Sequence, residues 1–120
     1  MNSTLALRLA ALIGFLAVAL GAFGAHRLEA RLIENGRLDT WHTAALYHLV
    51  HAVVLLALAL RTAVARPPFT LFAVGILIFS GSLYALALTN VKILGAITPI
   101  GGLCLLGGWL ALAIRPGKAS

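Results

Sequence analysis

Two histidines three residues apart, His48 and His51, stand inside the otherwise apolar stretch Trp41–Arg61, with Tyr47 beside them. On a helix turning 100° per residue, Thr40, Ala44, Tyr47, His48, His51 and Leu55 fall on one arc about 100° wide. Ionisable side chains within an apolar span face other helices or a wet cavity. A neutral imidazole brings one donor and one acceptor to such a place, and both need partners. The functional reading is a proton relay or a polar ligand site. The structural reading is that the histidines bond Ser80 or Tyr84 on a neighbouring helix and lock the helices together. Ser80 and Tyr84 are four residues apart, on a small and partly polar helix face with Ala73 and Ala87. Tyr47, His48, His51, Ser80 and Tyr84 are therefore the candidate intramembrane polar cluster.

A shared metal is the sharpest form of the idea. Histidines at this spacing can hold one ion together, but a complete site takes further ligands. Cys104, the only cysteine, joins them only if the last helix lies alongside, and no Asp or Glu stands within an apolar run. Haem ligation from opposite faces needs separated histidines, and these are neighbours on one helix. No metal and no cofactor is assigned. No nucleophile–base pair or pair of carboxylates is readable, so no catalytic residue is assigned and an enzyme is not expected.

The composition says what surrounds these residues. The chain has 120 residues, enough for one domain, 1–120; 62% are hydrophobic and 10% charged, with a mean hydropathy of +1.04. Soluble domains carry about 25% charged residues. The formal charge of +6 raises nucleic acid as a partner. The nine basic residues, however, flank the apolar runs and form no stripe, so no nucleic acid is expected. Basic residues at the ends of apolar runs suit a lipid bilayer, where they orient and anchor a membrane protein. One cysteine allows no intrachain disulfide.

The pattern predicts an all-α polytopic membrane protein. Four transmembrane helices, about residues 5–25, 41–60, 69–88 and 93–114, form an antiparallel bundle with a short interfacial helix between the first and second. The first run resembles a signal peptide at Ala22-Phe23-Gly24, but its apolar length is that of a span, so a retained helix is expected. Ala10, Gly14, Ala17, Gly21 and Ala25 give it a small-residue face. The polar segment His26–Thr40 reads as an amphipathic helix at the interface or as an extension of the first helix, stopping at Asn35-Gly36. Asp39 or Thr40 then caps the next helix, and Trp41 reads as an interfacial anchor. Pro68 suits a first turn. On the last helix, Gly101, Cys104, Gly108 and Ala111 form another small face. Pro99 lacks an N–H and frees the Gly95 carbonyl, so Thr98-Pro99 marks an expected helix bend.

Both termini fall on one side. That side holds Arg8, Arg61, Arg66, Arg115 and Lys118, against Arg27, Arg31, Arg37 and Lys92 on the other, which puts both termini in the cytoplasm.

Several phrases recur in a known order. Gly21-Ala22-Phe23-Gly24-Ala25-His26 closes the first helix, and Trp41, Thr43-Ala44, Tyr47 and His51-Ala52 lie in the second. Phe79-Ser80-Gly81-Ser82-Leu83-Tyr84 lies in the third. Leu94-Gly95, Thr98-Pro99-Ile100-Gly101-Gly102 and Gly108-Trp109 mark the fourth. Together they resemble the bacterial inner-membrane family called domain of unknown function 423, related to eukaryotic transmembrane protein 256. The resemblance implies a small four-span membrane protein of the inner (plasma) membrane and no particular activity. It also implies glutamine after Tyr47, where this sequence has His48.

The expected role is that of a non-enzymatic integral membrane protein, a possible homo-oligomer given its small-residue faces, with no ligand named. The alternative is a small oligomeric transporter or channel using the histidine, tyrosine and serine cluster. The acidic residue that a small multidrug antiporter needs within a span is absent.

Overall fold

Asn2 starts the first helix by accepting the backbone N–H groups of Thr4 at 2.8 Å and Leu5 at 3.3 Å. The structure, a computed structural model, describes residues 1–117; Lys118, counted above on the terminal side, lies outside them. The helices are α1 (Ser3–Val18), α2 (Ala25–Glu34), α3 (Leu38–Ala59), α4 (Arg66–Thr89) and α5 (Leu94–Ile114). A π-helical turn, Ala19–Gly24, joins α1 to α2. The run Ser3–Glu34 and the helices α3, α4 and α5 are each long and apolar enough to cross a membrane. No solvent drives such helices together in lipid; close packing and hydrogen bonds do.

The polar segment after the first span is helical, and it continues α1 through the π turn without leaving right-handed helical backbone. It ends where Asn35-Gly36 predicts. Gly36 has φ +69, Arg37 N–H reaches the Leu32 carbonyl at 2.8 Å and Gly36 N–H that of Ile33 at 3.0 Å, a Schellman closure. Only then does the chain reverse. The next helix begins at Leu38, with Arg37 rather than Asp39 or Thr40 at the cap position; Asp39 sits in the first turn, where its charge complements the helix dipole. Pro67 and Pro68 both lie in the first turn of α4, where their missing N–H groups leave no helix bond unmade.

α2 has a second task at the far end of α4. Arg31 Nε donates to the Leu88 carbonyl at 3.0 Å, and Asn35 Nδ2 to those of Ala87 and Leu88 at 3.0 and 3.1 Å. These are carbonyls of the last turn of α4, which has no further helical donors to offer them. Asn90, at φ 57, then turns the chain sharply into α5, and its side chain accepts from Arg37 Nε at 3.0 Å.

The spanning helices pack in chain order: α1 on α3, α3 on α4, α4 on α5. No Cα of α1 comes within 8 Å of one in α4, and none of α3 within 8 Å of one in α5. α1 and α5 are edge helices and bury much less of themselves than α3 and α4. Two apolar clusters fill the interior. One, towards the termini, gathers Ala6, Ala10, Leu55, Leu58, Phe69, Phe72, Ile76 and Leu105; the other gathers Leu32, Trp41, Ala44, Tyr84 and Ala87. Between them along α3 and α4 lie His48, His51 and Ser80, all buried.

Glycines set the closest approach. A Cβ on Gly101 would collide with the backbone of Phe79, one on Gly75 would lie 2.6 Å from Leu105, and one on Gly108 would lie 2.7 Å from the Phe72 ring. The buried row of α5 is thus Gly101, Leu105 and Gly108, with Cys104 half-buried at its edge. Pro99 lies inside α5, which continues through it. Thr98 beside it meets Ser82 of α4, hydroxyl to hydroxyl, at 2.6 Å. On the other side of the molecule α1 turns Ala6, Ala10 and Ala17 inward, with Gly14 facing Ala52 and Gly21 facing Ala45 of α3.

Neighbouring glycines of α5 therefore differ in what they tolerate. Gly101→Ala is expected to destabilise the protein in detergent by about 1–3 kcal/mol, the range for overpacking a filled contact. Gly102→Ala, whose Cβ would make ordinary contact with Phe79 at 3.7 Å, is expected to be close to neutral. Equal melting temperatures for the two variants would refute this α4–α5 register.

Candidate functional site

The midpoint of α3 falls at His48, because Leu38–Thr40 are helical and move the centre one turn from the expected position near His51. The His48 ring is held at both nitrogens. Nε2 lies 2.9 Å from the Ile13 carbonyl oxygen of α1, and Nδ1 lies 2.9 Å from the Tyr84 hydroxyl of α4. A carbonyl only accepts, so Nε2 carries the proton, and Tyr84 must then donate to the bare Nδ1. His51 has the opposite tautomer. Its Nδ1 donates to the Tyr47 carbonyl one turn back at 2.8 Å, and its Nε2 accepts the indole N–H of Trp109 at 3.1 Å. As neutral imidazoles, both rings have their donor and their acceptor committed.

The two rings reach opposite edges of the molecule. His48 ties α3 to α1 and α4. His51 reaches α5, a helix whose backbone stays distant from α3, through the long side chain of Trp109. Phe72 of α4 fills the gap, 5.6 Å from the His51 ring and 5.2 Å from the Trp109 ring between centroids. Gly108 admits the Phe72 ring at that level. The Gly108-Trp109 pair thus makes room for one ring and supplies the other.

Trp41 is a core residue and not an interfacial anchor. It is 1% exposed, its indole N–H donates to the Leu20 carbonyl of the π turn at 2.9 Å, and its ring packs 4.7 Å from that of Tyr84. The reason is the continuation of the first helix past the span, which covers the position that a terminal tryptophan would otherwise present to lipid headgroups. Gly24 makes this possible: a Cβ there would stand 2.6 Å from the indole. Leu20 and Ile13 are seven residues apart on the first helix, as Trp41 and His48 are on α3, so two pins about two turns apart hold the antiparallel register.

The remaining candidates separate. Ser80 is buried beside the histidines but bonds neither; its hydroxyl donates to the Ala44 carbonyl of α3 at 2.8 Å. Tyr47 is 41% exposed, its ring against Phe79 and near-parallel to that of His51 at 6.1 Å between centroids, and its hydrogen bond to His51 is through its backbone carbonyl. The structure brings His48 and Tyr84 into direct contact, seats Ser80 against Ala44 and His51 against Phe72, and leaves Tyr47 on the outer surface. Among the described residues no group of three His, Cys, Asp or Glu side chains is placed to hold a metal ion. No buried side-chain nitrogen or oxygen among them lacks a partner. No motif marks Trp109 or Ser82 as site residues; for Trp109 the signal is an indole N–H within an apolar run, a donor that must be placed somewhere.

Beside this seam lies a half-open cleft of about 320 Å3 between α1 and α4, lined by Ile13, Leu16, Leu20, His48, Ile76, Leu77, Ser80, Gly81 and Tyr84 among others. It exists because α1 and α4 both lean on α3 without meeting each other.

A family model described as protein of unknown function (DUF423) matches residues 20–102. The chain belongs to that family. It is 42% identical to the UPF0382 membrane protein YwdK of Bacillus subtilis, over 92% of this chain and 94% of that protein. A UPF0382 membrane protein of Haemophilus influenzae is 44% identical over 89% of each chain. The UPF0382 membrane protein C1782.12c of Schizosaccharomyces pombe is 38% identical over 88% of this chain and 95% of that protein. No solved structure matches the chain. As a member of DUF423 it is a membrane protein, and the matched segment runs from Leu20, the acceptor of Trp41, to Gly102, just past the Gly101–Phe79 contact.

His48 serves as a joint with one donor and one acceptor, so glutamine should replace it. His48→Gln is expected to keep the melting temperature, with its amide donating to Ile13 and accepting from Tyr84. His48→Leu is expected to cost about 1–2 kcal/mol. A double-mutant cycle on His51→Ala and Trp109→Phe should give a coupling of about 0.6 kcal/mol, the usual size of an interhelical bond in lipid. A coupling of zero would show that the bond does not form.

Proposed function

We propose that the chain acts as a non-enzymatic integral membrane protein whose buried histidines serve as structural joints and not as proton carriers. One observation carries the reading: each imidazole has its single donor and single acceptor committed to a helix partner. A relay must pass a proton in at one nitrogen and out at the other. For His51, protonating Nε2 would set two N–H groups against each other, because the indole of Trp109 can only donate. For His48, a proton arriving at Nδ1 would turn Tyr84 from donor to acceptor and leave the phenolic hydrogen in need of a new partner. The His51 step breaks the bond that joins α3 to α5 and the His48 step reverses the bond that joins α3 to α4, so transport through this seam would have to rearrange it.

The same reading places the protein in the plasma membrane of a bacterium with both termini in the cytoplasm. The support is the basic flank of the terminal side, Arg8, Arg61, Arg66 and Arg115 with Lys118 beyond them. Reporter fusions at each terminus, one active only in the cytoplasm and one only outside it, test the orientation. Activity of the external reporter at either end would reverse it.

The function itself is tested in sealed vesicles carrying the purified protein and an internal pH dye. Under an imposed pH gradient, proton flux is expected to match that of empty vesicles, and His51→Ala is expected to change melting temperature without changing flux. A protein-dependent flux abolished by His51→Ala would establish the transporter in place of the joint.

A further inference from the structure

Gly81 has no packing role. A Cβ built on it meets nothing within 4 Å, whereas Gly75, Gly101 and Gly108 each admit a neighbour that a side chain would strike. A glycine in mid-helix is less favourable than an alanine, and here no helix draws closer in return. What Gly81 does is line the cleft between α1 and α4 and keep it open at the level of Ser80 and Tyr84. The cleft, about 320 Å3, falls within the range of about 300–1,000 Å3 common for small-molecule sites. Its rim carries Leu16 and Leu77, 50% and 74% exposed, so it opens sideways onto the bilayer's hydrocarbon.

The hydrogens around its polar wall are all assigned. Tyr84 gives its hydrogen to His48 Nδ1, His48 gives Nε2–H to Ile13, and Ser80 gives its hydrogen to Ala44. The Tyr84 and Ser80 oxygens keep lone pairs, and a hydroxyl oxygen can accept while it donates. The cleft therefore offers acceptors and no donors. A carbonyl or ether oxygen finds nothing to bond there, and a hydroxyl does.

From this we propose that the α1–α4 cleft is a binding site for a hydroxyl-bearing, membrane-dissolved lipid of the long-chain alcohol class. It enters laterally between Leu16 and Leu77 and donates its O–H to the Tyr84 oxygen. Gly81 leaves the space for its first carbons. The site rests on the reading of the seam as a fixed network, since a shuttling proton would free a donor in the same wall.

The probe is a long-chain primary alcohol carrying a photoreactive diazirine near its hydroxyl end, added to the protein in lipid nanodiscs. Labelling is expected on α1 and α4 at the cleft residues. Unlabelled hexadecanol is expected to compete about tenfold better than its methyl ether or the matching methyl ketone, the ratio one hydrogen bond supports. Gly81→Leu fills the cleft and is expected to remove the labelling while keeping the melting temperature, because its Cβ enters open space. Should that variant fail to fold, Leu77→Trp on the exposed rim is expected to weaken labelling instead. Equal competition by alcohol, ether and ketone overturns the site, as does labelling untouched by either variant. A cross-link between two copies through Leu77 would also overturn it, by showing the cleft filled by a second chain. A vesicle flux dependent on His51 would instead overturn the fixed seam, so the two failures are distinct.

Discussion

A neutral imidazole buried in an apolar layer must find both a hydrogen-bond acceptor and a donor, and this requirement organises the molecule. Two histidines three residues apart on α3 meet it in opposite ways. His48 points its N–H at the backbone of α1 and accepts from Tyr84 on α4; His51 spends its N–H on its own helix and accepts from Trp109 on α5. The spanning helices pack only with their neighbours in chain order, so no backbone contact joins α5 directly to α3. The indole bridge does. In lipid an unmet polar group has no water to turn to, and the choice of tautomer on each ring is therefore dictated by the helices it joins.

The two sides of the molecule are held by different means. Between α4 and α5 the helices close tightly over Gly75, Gly101 and Gly108, with Leu105 and Phe72 seated where side chains are missing. Between α1 and α3 the contact relies on alanines and on two pins, the Trp41–Leu20 and His48–Ile13 bonds. The first interface leaves no room beside it. The second leaves α1 standing away from α4, and the cleft follows from that spacing. The polar α2 does the work of a clasp, with Arg31 and Asn35 meeting the final carbonyls of α4.

Much of this was legible beforehand. Length and apolarity locate four spans, and Asn35-Gly36 locates a sharp stop, because those signals are local. Which face of a helix turns inward was harder. An arc 100° wide around His48 includes both Trp41's neighbours and Tyr47, and only the partner helices decide where its centre lies; it lies towards Trp41, which leaves Tyr47 outside. Trp41 itself departs from its sequence signal for a physical reason. An indole at the start of a span resembles an interfacial anchor unless the preceding helix runs on to cover it, and that depends on a π turn which no residue pattern announces. Ser80 was expected to meet a histidine and meets the backbone of Ala44 instead, since a short hydroxyl reaches the nearest main chain before a more distant ring.

Most bonds between helices here end on a main-chain carbonyl: those of Ile13, Leu20, Ala44, Ala87 and Leu88. The donor in each case is a particular side chain, but the acceptor belongs to every residue type. Half of each joint is therefore invisible to mutation. Positions 13, 20, 44, 87 and 88 are free to drift among residues of suitable size while the joint survives, and the heritable part of the framework shrinks to a handful of donors. A scaffold specified so sparingly leaves most of its positions free to vary in all but size and polarity.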